Sequence, residues 1–293
     1  MISKMKKIEF SKLNGQGNDF ILIDSTVNHI KLSGDQIIRM CDRNFGIGAD
    51  GLILVRSSKI SDLKMDYYNR DGSVAEMCGN GIRCMARFAY ENNLVNIKNK
   101  NFNIETLSGI KKIFLNIEGG KVMDIKVDMG SPEFKPENIP VNIGDNKINE
   151  IFNYKIKIGS EDFIINCISA GNPHCVIFLK NNIDLDTFPV GKWGPKIENH
   201  RIFPNKTNVE FVRVSADEEL NIRIWERGVG ETLACGTGAC AAAVCAVKLR
   251  KVRTNKVTVN VRGGKLNITW VPRDNTIYME GKVEHSFDGL YYL

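Results

Sequence analysis

The chain has 293 residues, room for one or two domains with a buried core, and its 43% hydrophobic and 25% charged content is ordinary for a soluble globular protein. Its net charge of +6 is spread out, and the densest basic stretch, Lys248-Leu249-Arg250-Lys251-Val252-Arg253, lies in the last turn of an expected helix, which argues against nucleic-acid binding. No apolar run suffices for a signal peptide or membrane span, so a cytoplasmic protein is expected; its eight cysteines form no CxxC pair and its four histidines lack metal-site spacing, which disfavours both disulfides and a metal centre.

Short β-branched or aromatic runs bounded by Gly, Asn or Asp predict strands over Lys7–Phe10 and Phe20–Asp24. Ser33 with Gln36 is a capping-box pattern that opens a helix over Asp35–Cys41. Strands follow over Leu52–Arg56 and Met65–Asn69. A helix then covers Gly79–Glu91, with Ile82, Met85, Ala86 and Ala89 inward and Arg83 and Arg87 outward. Asn103–Thr106, Lys112–Ile117 and Lys121–Asp128 complete the first half as strands. Three prolines between Pro132 and Pro140 mark a crossing segment. The second half offers strands over Tyr154–Ile158, Phe163–Ser169, His174–Phe178, Val209–Val214 and Leu220–Trp225. A helix from Gly236 to about Arg250 is apolar nearly all round, hence buried on most sides. Strands over Lys256–Asn260, Lys265–Val271 and Ile277–Glu280 follow. Strands before and after the helix in each half predict an α+β protein with a curved sheet around each glycine-opened helix, not a doubly wound parallel sheet.

The two halves share a plan. At a constant offset of 157 residues, Cys78-Gly79-Asn80-Gly81 falls on Cys235-Gly236-Thr237-Gly238, Asn69-Arg70 on Glu226-Arg227, and Gly51–Arg56 on Asn208–Arg213. With small insertions upstream, Gly17-Asn18 falls on Gly171-Asn172. Each Cys-Gly-x-Gly stands at the start of a helix, where unpaired N–H groups attract anions and glycine lets a ligand approach the backbone. Such a mouth can lower a thiol pKa and hold a carboxylate. The other cysteines, Cys41, Cys84, Cys167, Cys175, Cys240 and Cys245, read as small buried hydrophobes.

Paired thiols could serve redox chemistry, but catalytic dithiols normally come as CxxC. Acyl transfer needs one cysteine with a histidine, not two cysteines. Stereochemical inversion needs an acid and a base on opposite faces of one carbon, which two pseudo-symmetric thiols supply. The carbon acid would be the α-position of an amino acid. Its carboxylate would sit at the helix mouths, whose dipoles stabilise enediolate charge.

The resemblance carried by these residues is specific. Asn14-Gly15-Gln16-Gly17-Asn18-Asp19-Phe20, Met77-Cys78-Gly79-Asn80-Gly81-Ile82-Arg83-Cys84, Gly171-Asn172-Pro173-His174 and Glu226-Arg227-Gly228-Val229-Gly230-Glu231-Thr232-Leu233-Ala234-Cys235-Gly236-Thr237-Gly238 together resemble diaminopimelate epimerase nearly end to end. The resemblance implies interconversion of LL- and meso-2,6-diaminopimelate with no cofactor, neither pyridoxal phosphate nor metal. It implies Cys78 and Cys235 as the catalytic pair. Asn80, with the backbone of Gly79, Gly236 and Thr237, would hold the reacting carboxylate, and Glu226 with the main chain of Arg227 the reacting amine. Asn18, Asn69, Asn172, Asn208 and the Arg227 side chain would take the distal end. His174 and Glu226 would help position and tune the site. Some members carry Gln where this chain has Gly51, so Gly51 is carried over only as a supporting position, through a backbone or water contact. The family fold implies two similar α/β halves, each a barrel-like sheet around a helix. Residues 1–130 would form the first half and 131–281 the second, with 282–293 returning to the first.

Simpler readings stand beside these. Asn18 and Asn172 follow glycines and could be turn residues, His174 a strand-start histidine, and Glu226-Arg227 a surface pair. His29, His200 and His285 read as structural. A proline or hydroxyproline racemase shares the chemistry but needs no distal Asn set, and a phenazine-type isomerase lacks the cysteine pair. From another class, the chain could be a basic binding protein. The expected partner is a small-molecule substrate, with neither nucleic acid nor membrane. The apolar ends Val283–His285 and Leu290–Leu293 read as sheet edge, along which a homodimer could form.

Overall fold

The hairpin that opens the chain already sets one site residue. Strand β1 (Lys7–Gly15) turns through Gln16 and Gly17, both at positive φ (52° and 79°), into β2 (Asn18–Asp24). Two such residues in a row give the two-residue turn that matches the twist of an antiparallel pair, and it leaves Asn18 at the very start of β2. This computed structural model describes residues 7–96, 100–144, 147–180 and 182–293. It divides into two units, one running to Val127 and resuming at Glu280–Leu293, the other Asp128–Met279.

In the first unit, α1 (Gly34–Cys41) is opened by Ser33, whose hydroxyl accepts from the Gln36 N–H while the Gln36 side chain accepts from the Ser33 N–H. Then come β3 (Gly51–Arg56), β4 (Leu63–Asn69), the short β5 (Val74–Ala75), α2 (Gly79–Glu91), β6 (Asn101–Thr106), β7 (Gly109–Glu118) and β8 (Lys121–Gly130). Strand β2 pairs in parallel with β3, β3 antiparallel with β4, β4 in parallel with β6, and β6 antiparallel with β7. Helix α2 packs on β1, β2 and β3. Its first turn through Ala89 is buried apart from Arg87.

The second unit repeats this order. It comprises β9 (Tyr154–Ile158), β10 (Glu161–Ser169), β11 (Pro173–Phe178), α3 (Val190–Glu198), β12 (Asn208–Ala216), β13 (Glu219–Glu226), β14 (Gly230–Thr232), α4 (Gly236–Lys248), β15 (Lys256–Val261), β16 (Gly264–Val271) and the greater part of β17 (Thr276–Gly281). Again β11 pairs in parallel with β12, β12 antiparallel with β13, β13 in parallel with β15, and β15 antiparallel with β16. Helix α4, built from Ala, Val, Cys and Gly apart from Thr237 and Lys248, packs against β10, β11, β12, β13, β15 and β16, which explains its lack of a polar face. The expected α+β class with two like halves therefore holds at the level of strand register. Phe20 faces Gly51 across the parallel pair in one unit, and His174 faces Asn208 in the other.

One expectation is corrected and one element is added. Arg83, read as an outward residue, is fully buried, because its guanidinium is spent on the helix mouth: it donates to the Gly79 carbonyl (3.0 Å), Asn80 Oδ1 (2.8 Å) and Gln16 Oε1. Helix α3 was not expected from the sequence, and it contains Pro195. The six cysteines read as core residues are all buried. Among the described residues no helix is long and apolar enough to cross a membrane. The chain ends in β18 (Glu284–Tyr292), which lies antiparallel along β1 from Lys7↔Tyr292 to Asn14↔Glu284, with a bulge at Lys12/Leu13.

Candidate active site

Both Cys-Gly-x-Gly segments adopt one backbone conformation. Cys78 and Cys235 are the N-cap residues of α2 and α4, at φ −132°, ψ 125° and φ −129°, ψ 116°. Each helix therefore starts with a thiol beside N–H groups that lack intrahelical acceptors, an arrangement suited to an anion. Gly79 and Gly236 are the first helical residues, and Asn80 and Thr237 follow.

At the first mouth, Asn18 accepts at Oδ1 from Cys78 Sγ (3.5 Å) and from Asn80 Nδ2 (3.4 Å). Its own amide N–H₂ donates to Asp50 Oδ2 at 2.8 Å, so the orientation of Asn18 is set from behind. Asp50 in turn takes Arg43 Nη2 at 2.8 Å, and Arg43 grips Asp19 with both nitrogens at 3.0 and 2.8 Å. Burial pushes the Asp19 carboxyl up, but hydrogen bonds from Arg43 and Lys12 outweigh it and hold the group at about 2. Asn69 faces Gly51 across β3 and β4 and donates to Ser73 Oγ at 3.0 Å. A Cβ on Gly51 would stand 2.7 Å from both the Tyr67 ring and the Tyr68 carbonyl oxygen, so no side chain fits there.

The second mouth is built differently. His174, fully buried, places Nδ1 2.7 Å from Glu210 Oε1 and Nε2 2.7 Å from Asn172 Oδ1. Glu210 is also fully buried, and its second oxygen has no hydrogen-bond partner. Asn208 donates to the Pro173 carbonyl (2.8 Å) and accepts from the Arg227 N–H (2.9 Å), while the exposed Arg227 side chain reaches the Asn205 carbonyl (3.1 Å). The Thr232 hydroxyl donates to Glu226 Oε1 at 2.5 Å, and Cys235 Sγ lies 3.3 Å from Thr237 Oγ1.

Thus Asn18, Cys78 and Asn80 meet in the first unit, Asn172 and His174 in the second, and Asn208 meets the Arg227 main chain. The sequence reading missed Asp50, Arg83 and Glu210. The offset of 157 carried a signal for two of them: it pairs buried Arg83 with Cys240, and Glu210 with Ile53.

Burial, followed by Glu226 and Glu210, drives the Cys235 thiol well above its ordinary range, against the pull of the Thr237 hydroxyl and the Gly238 N–H. Burial also raises Glu210, with the neighbouring His174 opposing. Cys41 is pushed up to about 11, and Cys84, Cys175 and Cys245 rise too, as fits unreactive core thiols. Among the described residues, no three His, Cys, Asp or Glu side chains are grouped to hold a metal ion.

A profile of the family described as diaminopimelate epimerase matches residues 10–135 and 166–286. The chain is 44% identical over 283 residues to a diaminopimelate epimerase of Acetivibrio thermocellus, covering 96% of this chain and 98% of that one. Identity with the corresponding protein of Moorella thermoacetica is 46% over 286 residues, covering 96% and 98%. Among solved structures, a phenazine biosynthesis protein of the PhzF family from Bacillus anthracis superposes with a TM-score of 0.68 at 17% identity, covering 99% of this chain and all of that one. A hydroxyproline epimerase from Agrobacterium vitis, with trans-4-hydroxy-L-proline bound, gives 0.68 at 10% identity, covering 98% and 93%. At such identities these two likenesses speak to the fold alone.

Proposed function

The chain belongs to the diaminopimelate epimerase family, and on that footing we propose that Cys78 and Cys235 are its two proton carriers, acting on opposite faces of one α-carbon. The enzyme is an isomerase that interconverts LL- and meso-2,6-diaminopimelate, on the route to lysine and peptidoglycan. One observation carries the assignment of the cysteines: each occupies the N-cap of a helix in the same extended conformation, directly before a glycine. One sulfur, as thiolate, takes the α-proton. The other, as thiol, returns a proton from the far side and becomes the thiolate, and the roles exchange with direction.

The reacting carboxylate lies at the helix starts, held by Asn80 and the N–H groups of Gly79, Gly236 and Thr237, where the macrodipoles favour enediolate charge. Glu226 and the Arg227 main chain take the reacting amine. The distal amino-acid end is read by Asn18, Asn69, Asn172, Asn208 and the Arg227 side chain, with His174 in support. Gly51 contributes only backbone, since a side chain there has no room. No pyridoxal phosphate or metal enters this reading. The chain works in the cytoplasm, and two copies pair along β18, whose Phe287, Leu290 and Tyr292 are about half exposed; sedimentation of the pure protein checks that pairing.

The decisive experiment incubates the reduced protein with LL-diaminopimelate in deuterated water and follows the α-proton by NMR. Loss of that signal with appearance of the meso isomer is the expected result. No exchange with folded, reduced protein refutes the reading, and exchange of L-proline instead installs a proline racemase.

A further inference from the structure

The repeat contains its own control. In the first unit, the space beneath the opening turn of α2 is apolar: a Cβ on Gly81 would meet Ile53 Cδ1 at 3.2 Å, Met65 Cε at 3.3 Å and Phe20 Cε1 at 3.4 Å. In the second unit, the equivalent glycine, Gly238, has Glu210 Oε1 beneath it, 2.8 Å from where a Cβ would stand, and Cys235 Cβ 3.4 Å from the same point. The strand registers confirm the correspondence, with Phe20 opposite Gly51 and His174 opposite Asn208. A buried Glu–His pair therefore stands where the other half has phenylalanine and isoleucine. The fold closes over an apolar layer, so it does not need this polar pair, and burying a carboxylate with one oxygen unpartnered costs stability. A costly pair that the fold does not need calls for a chemical reason.

We infer that Glu210 is the residue that makes the two thiols unlike: its sealed carboxylate, seated under the first turn of α4 in the room left by Gly238, keeps Cys235 protonated, so that Cys235 is the standing proton donor. The inference rests on the proposed roles of the two cysteines. Glu226, on β13, is the other carboxylate that acts on Cys235, but it is only half-buried, and in the proposed complex it meets the substrate ammonium and loses its effect on the thiol. Glu210, on β12, has no exposure and keeps its place behind His174 of β11. The Thr237 hydroxyl and Gly238 N–H of α4 oppose both. In a turnover starting from this resting form, Cys78 removes the α-proton as thiolate, Cys235 gives its S–H proton to the opposite face, and the negative charge passes to Cys235 sulfur. Glu210 works through Cys235 and touches no substrate, so it is a positioning residue.

Glu210→Gln keeps the size and the hydrogen bond to His174 but removes the charge. The test compares wild-type and variant protein by alkylation with iodoacetamide across pH, each cysteine followed by peptide mass spectrometry. Cys235 is expected to react about tenfold faster at pH 8 in the variant, because a like charge at this range shifts a thiol by about a pH unit or more. The Cys78 profile stays where it was, and the alkaline limb of the α-proton exchange rate moves to lower pH. An unchanged Cys235 profile in folded Glu210→Gln overturns the inference. Should that variant not fold, Glu210→Asp, which draws the carboxylate back from Gly238, is scored the same way for a smaller shift. Because alkylation needs no turnover, a wild-type protein without epimerase activity would defeat the functional reading and still leave this inference judged by its thiol titration.

Discussion

Replacing the second glycine of each helix mouth with alanine separates the two halves. In Gly238→Ala the new methyl stands 2.8 Å from Glu210 Oε1, an atom pinned 2.7 Å from His174 inside a fully buried layer. Relief requires moving the carboxylate, which gives up a charge-assisted buried hydrogen bond worth about 1.5–3 kcal/mol. Alanine returns up to about 1 kcal/mol in helix propensity. The net expectation is a loss of about 1–2 kcal/mol, or roughly 2–8 °C in Tm for a unit of this size. In Gly81→Ala the nearest atoms are the tips of Ile53, Met65 and Phe20 at 3.2–3.4 Å, which move aside by a few tenths of an ångström. That variant stays within about 1 kcal/mol of the wild type, since propensity and crowding nearly cancel. Thermal unfolding of both variants, with α-proton exchange on the same samples, makes the comparison. Gly238→Ala also loses about 100-fold in exchange rate, the scale of a 1 Å misplacement at a reacting centre. Equal losses in the two variants would refute the claim that a carboxylate lies under one mouth and apolar side chains under the other.

Three further outcomes are expected. Cys78→Ala and Cys235→Ala each abolish epimerisation, because one face then lacks its proton carrier; turnover retained by either variant, measured by isomer-resolved chromatography, rules out the two-thiol mechanism. Asp50→Ala removes the acceptor that orients the Asn18 amide, and KM for diaminopimelate rises about tenfold, the equivalent of one hydrogen bond to a charged group; an unchanged KM shows that Asn18 holds its orientation unaided. The Asp19 carboxyl is depressed from 3.8 to about 2, so its contribution to stability is complete above pH 3.8 and disappears as pH falls through 2. Urea midpoints of wild type and Asp19→Asn should therefore differ at pH 6 and converge below pH 2, and a gap independent of pH would exclude the linkage.

Much of this architecture was legible because the repeat is a strong constraint. The cysteines, their glycines and the strands ahead of them recur at one offset, and a single register places both helix mouths. What escaped was whatever breaks the repeat or defeats a periodicity argument. Glu210 sits inside a strand between Val209 and Phe211, where a carboxylate reads as one outward residue of an alternation. Only its pairing with Ile53 marks it as a charge in an apolar place. Arg83 and Arg87 are four apart on a helix and read as a solvated stripe, yet Arg83 turns inward because Gly79, Asn80 and Gln16 offer it three oxygens. Helix α3 hid behind Pro195, normally a helix breaker. Trp225 helps to seat it, donating from its indole to Glu198 Oε2 at 2.8 Å.

The pairing of β18 with β1 also fixes an order of events. Lys7 meets Tyr292, so the first unit is completed by a strand that is made only after the whole of the second unit. Closing that edge joins β1 to a strand far from it in sequence, a non-local contact that is slow to form. A product truncated before Glu284 exposes β1 along Lys7–Asn14 with its pairing groups unmet. Quality control thus has a built-in mark of damage: a chain that lacks β18 displays an open strand, and one that carries it covers that strand.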